Sequence, residues 1–407
     1  MTAVRFAVTY PQRESRPSLA SGWVRGTFGL SFDQPERTYV PETALTIEPG
    51  QVVLFTGPSG SGKSSAMRQV AEQMNATWLD AVPIDPDALV IEQLGDDPAE
   101  AMRIAGLVGL AEAHLFVRFP HELSDGQQYR FRLAKAIVLG ATVVAADEWC
   151  ATLDRITAKV VSFNAHKVVA RLGLVLLCAT THDDVAEDLA PAHHVKLTGS
   201  AAEVGANMGF RGRISFYDEI TVERTSRTAW GYFAGWHYRG HTIGFVTCAL
   251  LMRHGDVPIG FAAISPPALN NGARMRAFGM RHGYPPKVLN RWFSVVSRIV
   301  IDPRYRGAGL AGDLMTLAVA NAPNRWVEAV MSMGNVNPFA RRSGLVDFGA
   351  VAGDARAARG NVRTMPGATA PSAAHAAQSR MATMRYYLAD RDVVRARLDG
   401  WEVPRRG

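Results

Sequence analysis

The chain has few cysteines and no long apolar run. Cys150, Cys178 and Cys248 lie far apart among 407 residues and lack the spacing of a metal site, which favours reduced core cysteines in a cytoplasmic protein. No apolar stretch approaches the roughly 20 residues that span a bilayer. Residues 1–10 contain no long apolar segment of a signal peptide. These absences predict a chain without a membrane span or a secretion signal.

Acidic and basic residues are distributed unevenly. Residues 1–200 carry 17 Lys and Arg against 23 Asp and Glu, whereas residues 201–407 carry 27 against 14. A chain of this length exceeds one ordinary core and predicts two or three domains. The basic second half is a candidate nucleic-acid binder, and a basic surface that only confers solubility explains its charge equally well.

A glycine-rich stretch follows the apolar run Val52–Phe55 and precedes a helical pattern that begins at Lys63. The stretch reads Gly57, Pro58, Ser59, Gly60, Ser61, Gly62, Lys63, Ser64 and Ser65. This spacing fits a phosphate-binding loop, in which glycine N–H groups surround the β-phosphate, Lys63 reaches the β and γ oxygens and Ser64 ligates Mg²⁺. A chance glycine-rich turn seldom has this Lys-Ser pair after a buried strand, so the stretch predicts nucleotide binding.

Residues on either side of this loop can contact the same nucleotide. Ser124 and Gly126 open the apolar-periodic stretch Phe131–Leu139, and a hydroxyl with bare N–H groups at a helix start predicts a second anion site. Tyr39 precedes the loop at a distance along the chain that suits stacking on adenine. An ordinary core tyrosine is the alternative. Short strands are predicted at Phe28–Phe32 and Tyr39-Val40.

Two further strands end in residues that suit hydrolysis. The strand Thr142–Ala146 ends at Asp147 and Glu148, so that the first carboxylate can hold Mg²⁺ through water and the second can polarise an attacking water. A strand over Leu174–Ala179 ends before His182, whose imidazole can contact a γ-phosphate. These positions predict an ATP-hydrolysing site.

This ordered set resembles the nucleotide-binding domain of the ABC ATPase superfamily. The matching motifs are Walker A from Gly57 to Ser64, Q-loop Gln93, the signature Leu123 to Gln127, Walker B with Glu148, the D-loop Leu153-Asp154 and switch His182. The resemblance implies catalytic Glu148, His182 and Gln93, Mg²⁺ ligands Ser64, Gln93 and Asp147, and ATP contacts from Tyr39, Ser124, Gly126, Gln127 and Asp154. It also implies a homodimer with ATP at the interface.

The chain departs from the superfamily pattern at two points. Asp125 stands where the signature usually has glycine, which puts the speed of phosphate engagement in doubt. The stretch of chain between Lys63 and Asp147 is shorter than transporter domains typically have. The subdomains that dock on membrane permeases are therefore expected to be trimmed.

A second phosphate cradle is predicted where the strand Trp292–Ile301 runs into a glycine loop and a helix over Gly312–Ala320. Glycines bare the N–H groups at the helix start, and arginines neutralise charge. The loop residues are Arg304, Arg306, Gly307, Ala308, Gly309 and Leu310. Arginine-glycine turns without a ligand are common, so later segments are needed to support this interpretation.

Those later segments resemble the GNAT acyltransferases over about residues 214–390. The spacing Arg304-x-x-Gly307-x-Gly309 is similar to their acyl-CoA loop, Asn337–Leu345 to their next helix and turn, and Arg385–Leu388 to their terminal strand. The resemblance implies an acyl-CoA such as acetyl-CoA as donor. Candidate acid and base residues are Tyr387, His237 and Glu223, and an ordinary surface glutamate and a structural histidine are the alternatives. Trp236-His237-Tyr238 also resembles, distantly, the Mom-type enzymes that modify adenine in DNA.

The sequence therefore predicts an α/β protein with an ABC-type domain at 1–200, a linker at 201–213 and a GNAT-like α/β domain at 214–407. An insertion poor in large apolar residues is expected at 350–380, where Arg356, Arg359 and Arg363 can contact phosphates or simply be solvated. The leading function is ATP-gated acyl transfer to an acceptor such as a nucleobase. The alternatives are an ATP-switched binding protein with a non-catalytic GNAT fold, and a transporter ATPase subunit.

Overall fold

The computed structural model describes residues 1–10, 18–29, 37–205, 209–237, 242–280, 283–332, 334, 337, 339–351 and 384–398. The chain divides into two compact units, one formed by Met1–Ala88 with Phe119–Ile214 and the other by Leu89–Arg118 with Ser215–Gly407. Residues 89–118 therefore group with the second half of the chain. The predicted insertion at 350–380 lies outside the described residues except for positions 350 and 351, so its three arginines are not described. Tyr238 also lies outside the described residues.

Helices and strands are interspersed along the described part of the chain. The strands are β1 (Thr2–Tyr10), β2 (Arg37–Ile47), β3 (Val52–Thr56), β4 (Thr77–Trp78), β5 (Val143–Ala146), β6 (Val175–Thr180), β7 (His193–Leu197), β8 (Ala202–Gly205), β9 (Ile220–Thr225), β10 (Cys248–His254), β11 (Val257–Ser265), β12 (Phe293–Ile301), β13 (Trp326–Met331), β14 (Val346–Val351) and β15 (Met384–Asp390). The helices are α1 (Leu19–Phe28), α2 (Lys63–Gln73), α3 (Pro98–Leu107), α4 (Asp125–Val138), α5 (Arg155–Leu172), α6 (Ala186–Leu189), α7 (Trp230–Phe233), α8 (Gly272–Ala277), α9 (Pro286–Trp292), α10 (Leu310–Ala320), α11 (Phe339–Arg342) and α12 (Arg391–Arg395).

The first unit is built on a six-stranded sheet in the order β4-β5-β6-β3-β7-β8. All its described neighbours run parallel except β7 and β8, which pair antiparallel. The central strands β3, β5 and β6 are apolar at nearly every position and are buried throughout, as expected for parallel strands covered on both faces. The edge strand β8 occupies part of the range predicted as a linker.

A separate two-stranded antiparallel sheet of β1 and β2 packs on helix α2 of the first unit. Gln69 bonds Ala7 in both directions, since the Ala7 N–H donates to Oε1 at 3.1 Å and Nε2 donates to the Ala7 carbonyl at 2.6 Å. Gln73 bonds Arg5 in the same way, at 3.0 and 2.6 Å. The side-chain amides of Gln69 and Gln73 thus satisfy backbone N–H and carbonyl groups of β1 as a neighbouring strand would.

The strand predicted at Phe28–Phe32 is wrong at its first residue. Phe28 is the last residue of helix α1, which the Ser18 side chain caps and which Gly29 ends in the left-handed region at φ 61°. Residues 30–32 lie outside the described part of the chain. The aromatic and apolar character of this stretch resembled a strand, but the capping residues decided the local structure.

The second unit is built on a seven-stranded sheet in the order β14-β15-β13-β12-β11-β10-β9. Every described pair in it is antiparallel except β12 with β13. That parallel ladder joins only Phe293–Val295 to Trp326–Glu328, at the beginning of both strands. Beyond these three pairs, β12 continues to pair with β11, and β13 continues to pair with β15. The later parts of β12 and β13 are not paired with each other.

A buried ion pair fixes helix α8 to the middle of this sheet. Arg274 donates to both carboxylate oxygens of Glu328, at 2.6 and 2.7 Å, and the Tyr386 hydroxyl donates to the same carboxylate at 2.5 Å. All three side chains are buried. A third donor of Arg274 bonds the Ala268 carbonyl at 2.9 Å, so the pair is satisfied from several sides.

Candidate functional site

The first candidate site is the loop that joins β3 to α2. Gly57 has φ 144°, and a Cβ there would lie 2.1 Å from the Leu197 carbonyl oxygen, so only glycine fits. Gly62 has φ 93° and caps α2, and a Cβ on it would meet the Val8 side chain at 2.7 Å. Because these glycines let the backbone turn tightly onto a helix N-terminus, the loop presents its N–H groups to an anion.

Lysine, serine and aspartate meet at the end of this loop. The Ser64 hydroxyl donates to Asp147 Oδ1 at 3.0 Å, and Lys63 Nζ donates to the Pro58 carbonyl at 2.7 Å. Burial lowers the pKa of Lys63, which Asp147 and Glu148 partly offset. Oxygen donors beside a phosphate loop suit Mg²⁺, which takes one or two protein ligands and leaves the rest to water and phosphate. Among the described residues, no group of three or more His, Cys, Asp and Glu could hold a metal by itself.

Glu148 follows Asp147 on a tight turn after β5. Its backbone lies in the left-handed region at φ 51°, and its N–H donates to Asp147 Oδ1 at 3.0 Å. The side chain is exposed. Both carboxylates line an open cleft of about 470 Å³ together with Arg68, Trp78, Asp80 and Ala81. Water can therefore reach the Glu148 carboxylate, which the sequence analysis predicts to polarise the attacking water.

The predicted signature residues stand at the start of helix α4. Ser124 is its N-cap, and the Ser124 N–H donates to Gln127 Oε1 at 3.0 Å. A Cβ on Gly126 would lie 2.9 Å from the Thr157 methyl group of α5, so this glycine also allows two helices to approach closely. The helix start therefore combines an anion-binding geometry with residues that the fold itself requires.

The remaining predicted ATP contacts lie on turns and strand ends. Asp154 caps α5 by accepting the Thr157 N–H at 3.0 Å, which is a structural role for a residue predicted to contact nucleotide. The His182 N–H donates to Thr180 Oγ1 at 3.2 Å, two residues beyond the end of β6. Tyr39 is partly exposed on β2. Gln93 ends a 3₁₀ turn, Ile91–Gln93, in the second unit.

The second candidate site is the loop that joins β12 to α10. Gly307 has φ 98° and Gly309 has φ 93°, and Gly309 caps α10. A Cβ on Gly309 would meet nothing within 4 Å, so space is open above the helix start. The side chains of Ala308 and Leu310 are buried, and these two residues can offer a ligand only their backbone.

Carboxylates already engage both arginines of the second loop. Arg304 donates to the two oxygens of buried Asp302, at 3.2 and 2.7 Å. Arg306 lies 3.1 Å from Glu112 Oε2 and donates to the Ile301 carbonyl at 2.9 Å. Burial lowers the pKa of Arg306, and Glu112 opposes that shift. Glu112 belongs to the segment 89–118, which groups with the second half of the chain. The residues around Glu112 in the sequence gave no indication of its ion pair with Arg306.

The predicted acid and base candidates of the second unit each have a structural contact. The Tyr387 hydroxyl donates to the Gly334 carbonyl at 3.1 Å, and burial raises the pKa of that hydroxyl. Glu223 accepts from Arg253 Nε at 3.0 Å. His237 lies edge-on to the Trp230 ring, with centroids 5.7 Å apart. The three are therefore held in place by neighbours, which is compatible with the structural interpretations of Glu223 and His237.

Comparison with known proteins gives relatives of the first half of the chain. The chain is 30% identical over 220 residues to the Fe(3+) ions import ATP-binding protein FbpC of Agrobacterium fabrum, covering 45% of this chain and 59% of that protein. It is 27% identical over 172 residues to the putative 2-aminoethylphosphonate import ATP-binding protein PhnT of Salmonella typhimurium, covering 32% and 45%. The first half of the chain is an ABC-type nucleotide-binding domain.

The likeness to known proteins is partial. The chain spans less than two thirds of the length of the curated relatives it matches. A solved dimeric ATP-binding cassette, in a post-hydrolysis state with ADP and phosphate, aligns with 51% of this chain and 100% of its own at 18% identity and a TM-score of 0.38. No family model matches the chain. Among the described residues, no helix combines the length and the apolar character needed to cross a membrane.

Proposed function

We propose that the protein hydrolyses ATP in its ABC-type domain and uses the bound nucleotide to control acyl transfer by a GNAT-like second half. The donor is an acyl-CoA such as acetyl-CoA, and the candidate acceptor is a nucleobase. A cytoplasmic location follows from that chemistry. The ATPase half of the proposal rests on one observation, the meeting of the phosphate loop with Asp147 and Glu148.

The geometry of the first loop supports ATP hydrolysis. Ser64 and Asp147 share a hydrogen bond at 3.0 Å, and these two side chains would hold a Mg²⁺ ion, which would supply positive charge to the phosphates. Glu148 stands next to this pair with its side chain exposed to water. Lys63 contributes positive charge to the same place. ATP and Mg²⁺ are therefore the proposed cofactors, with Gln93 and His182 as further groups that act on the γ-phosphate.

The homodimer follows from one signature helix per chain. In the proposed dimer, the start of α4 from one protomer, with Ser124, Gly126 and Gln127, covers ATP on the Walker A loop of the other, and Asp154 lies beside it. Contacts to the γ-phosphate hold the dimer, and hydrolysis releases them. The proposed dimer of two identical chains thus closes and opens with the state of its bound nucleotide.

Replacing Glu148 with glutamine tests this arrangement. The Glu148→Gln variant is expected to bind ATP, to lose turnover and to elute as a dimer with ATP and Mg²⁺ in gel filtration with light scattering. The same variant carrying Lys63→Ala serves as control and is expected to stay monomeric, because it cannot hold the phosphates. A monomeric Glu148→Gln variant at saturating ATP would contradict the proposed dimer.

The sheet of the second unit supports the acyltransferase-like half. Among the described strands its one parallel pair joins β12, which leads into the glycine loop, to β13, which follows helix α10. The parallel ladder stops after three residue pairs, so an extended ligand arm can reach the free edge of β12 beyond it. The glycine loop and the start of α10 follow directly, where N–H groups can bind a pyrophosphate.

Incubation of the full chain with labelled acetyl-CoA and DNA or RNA tests this half. Label is expected to move to the nucleic acid only when ATP and Mg²⁺ are present. A variant with both Gly307→Val and Gly309→Val is the control, and it should lose CoA binding while keeping ATP binding. Absence of both CoA and nucleic-acid binding by the wild-type chain would refute the acyl-transfer proposal and leave the ATPase proposal in place.

A second candidate function is an ATP-switched binding protein whose GNAT-like fold is not catalytic. The contacts of the predicted acyl-CoA and acid residues favour this non-catalytic function. Arg304 and Arg306 already bond carboxylates, and the Tyr387 hydroxyl bonds the Gly334 carbonyl. In that case nucleic acid or a partner would bind without group transfer. Binding that survives the Gly307→Val and Gly309→Val changes would favour this function over acyl transfer.

A third candidate is the energy subunit of an importer. The relatives named above are import ATP-binding proteins, which favours this function for the first half of the chain. It gives no role to the seven-stranded sheet of the second unit. Purification of the protein in complex with a membrane permease would support it.

A further inference from the structure

Glu148 and Cys150 both lie in a backbone conformation that side chains rarely adopt. Their φ angles are 51° and 52°, so the chain is left-handed immediately before and after Trp149. Two tight turns follow one another here, since the Ala151 N–H donates to the Glu148 carbonyl at 3.0 Å and the Leu153 N–H to the Cys150 carbonyl at 3.2 Å. Such strain persists only where surrounding contacts hold it, and it concentrates at functional sites.

Trp149 supplies those contacts. Its side chain is fully buried, although the neighbouring Glu148 side chain is exposed. The Trp149 N–H donates to the Ala179 carbonyl at 2.7 Å, and Nε1 donates to Ser162 Oγ at 2.8 Å. The ring also meets Tyr129 edge-on, with centroids 5.2 Å apart and planes at 88°. Both N–H groups of the tryptophan are therefore satisfied in the core.

The three partners belong to three different elements around the site. Ala179 lies on β6, which leads to His182, Ser162 lies on α5, and Tyr129 lies on α4, the helix that begins at the signature residues. An exposed glutamate has little packing of its own to fix it. The place of its carboxylate is therefore set by the backbone of the turn, and that backbone is anchored through Trp149.

We propose that Trp149 is a positioning residue for Glu148. It holds the left-handed turn that directs the Glu148 carboxylate toward the water that attacks the γ-phosphate, and it ties this turn to β6, α4 and α5. The inference rests on the proposed ATPase function. The Trp149 side chain is fully buried, and in this role it acts only through the backbone it anchors.

A positioning role and a purely structural role predict different kinetics. Displacing a catalytic group by about 1 Å can cost on the order of 100-fold in rate. Such a change lowers kcat and leaves ATP binding intact, because the Walker A loop makes the binding contacts. Loss of folded protein alone would lower the active fraction in every assay and would leave kcat per bound ATP unchanged.

Steady-state ATPase assays on the full chain distinguish the two. Trp149→Phe keeps a ring and removes the Nε1 donor, and Ser162→Ala removes the acceptor of that bond together with the hydrogen bond between Ser162 and Cys150. We expect kcat to fall about 10-fold or more in the first and by a smaller factor in the second, with KM within about 2-fold of wild type. The control is Phe163→Leu, which reduces aromatic volume on the same helix, where Phe163 faces Phe210, and should leave kcat unchanged.

A double-mutant comparison completes the test. In a Glu148→Gln background, adding Trp149→Phe should lower the single-turnover rate no further, because the group it positions is already gone. Full additivity of the two changes, or an unchanged kcat in both Trp149→Phe and Ser162→Ala, would overturn the inference while the ATPase function stands. Should Trp149→Phe fail to fold, Ser162→Ala alone decides. An inactive wild-type chain would overturn the proposed function together with the inference.

Discussion

The two glycine loops of the chain use the same backbone device. Each follows a strand and ends in a glycine with φ 93°, Gly62 in the first and Gly309 in the second. Each glycine caps a helix of 11 residues. In both loops the glycine turns the chain onto a helix N-terminus, whose partial positive charge suits an anion.

The loops differ in the charges that surround this common backbone. In the first, Lys63 bonds a carbonyl of its own loop, and the carboxylates of Asp147 and Glu148 line an open cleft. In the second, the cations already have carboxylate partners, Asp302 for Arg304 and Glu112 for Arg306. The glycine pattern therefore specifies a backbone cradle, whereas the ligand and the chemistry depend on side chains that are distant in sequence.

The largest expected difference between the loops comes from one glycine change in each, Gly57→Ala in the first and Gly309→Ala in the second. Gly57→Ala would place a Cβ against the Leu197 backbone at a φ of 144°, so we expect a loss of about 3 kcal/mol or more in the free energy of unfolding and no measurable ATP binding. Gly309→Ala adds a Cβ in open space and should cost only about 1 kcal/mol, from the left-handed backbone. Denaturant unfolding and ATP titration measure both. Equal losses would show that the two loops are constrained alike.

An intermediate effect is expected from Glu112→Gln, which leaves Arg306 mostly buried beside a neutral partner. Breaking a buried ion pair strongly destabilises a protein, and we expect about 2 to 4 kcal/mol here, seen as a lower Tm of the full chain. The control is Glu42→Gln, because Glu42 pairs with Arg5 on the surface, where both side chains are largely exposed. That change should cost less than about 1 kcal/mol. A Tm unchanged by Glu112→Gln would mean that Arg306 does not depend on this carboxylate.

The smallest effect is a pH dependence near the first loop. His194 Nε2 lies 2.9 Å from the hydroxyl of Thr56, the residue before Gly57, and burial lowers the pKa of His194, with Lys196 acting in the same direction. Since the unfolded chain then binds the proton more readily, the contribution of His194 to stability is complete above its ordinary pKa of about 6.5 and is lost as the pH falls below it. Unfolding curves between pH 7.5 and pH 5 measure this, and His194→Gln should flatten the slope. An identical slope in that variant would assign the dependence to other groups.

Local sequence patterns were sufficient for the strands and helices that carry the loops. The predicted helix start at Lys63 is confirmed, and the strands predicted at Thr142–Ala146, Leu174–Ala179 and Trp292–Ile301 are confirmed to within a residue or two. Buried parallel strands are apolar along their whole length, and glycine with lysine or arginine marks the turn that follows. These signals are local, so no tertiary information was needed.

The partners that distinguish the loops could not be predicted because they are not local. Glu112 reaches Arg306 from a distant part of the sequence, and no pattern around it announces an ion pair. Trp149 stands next to the predicted catalytic Glu148, but the sequence alone does not show that its N–H groups bond Ala179 and Ser162. Asp154 and Gln127 matched motif positions, and only the structure shows that both also cap helices.

The first strand has a practical consequence for anyone who expresses this protein. Gln69 and Gln73 of α2 bond the main chain at Arg5 and Ala7, and Val8 fills the space beside Gly62 of the phosphate loop. A deletion or a bulky insertion within residues 2–8 therefore perturbs the strand that supports the nucleotide loop. Low ATPase activity in such a preparation would first call for restoring this strand.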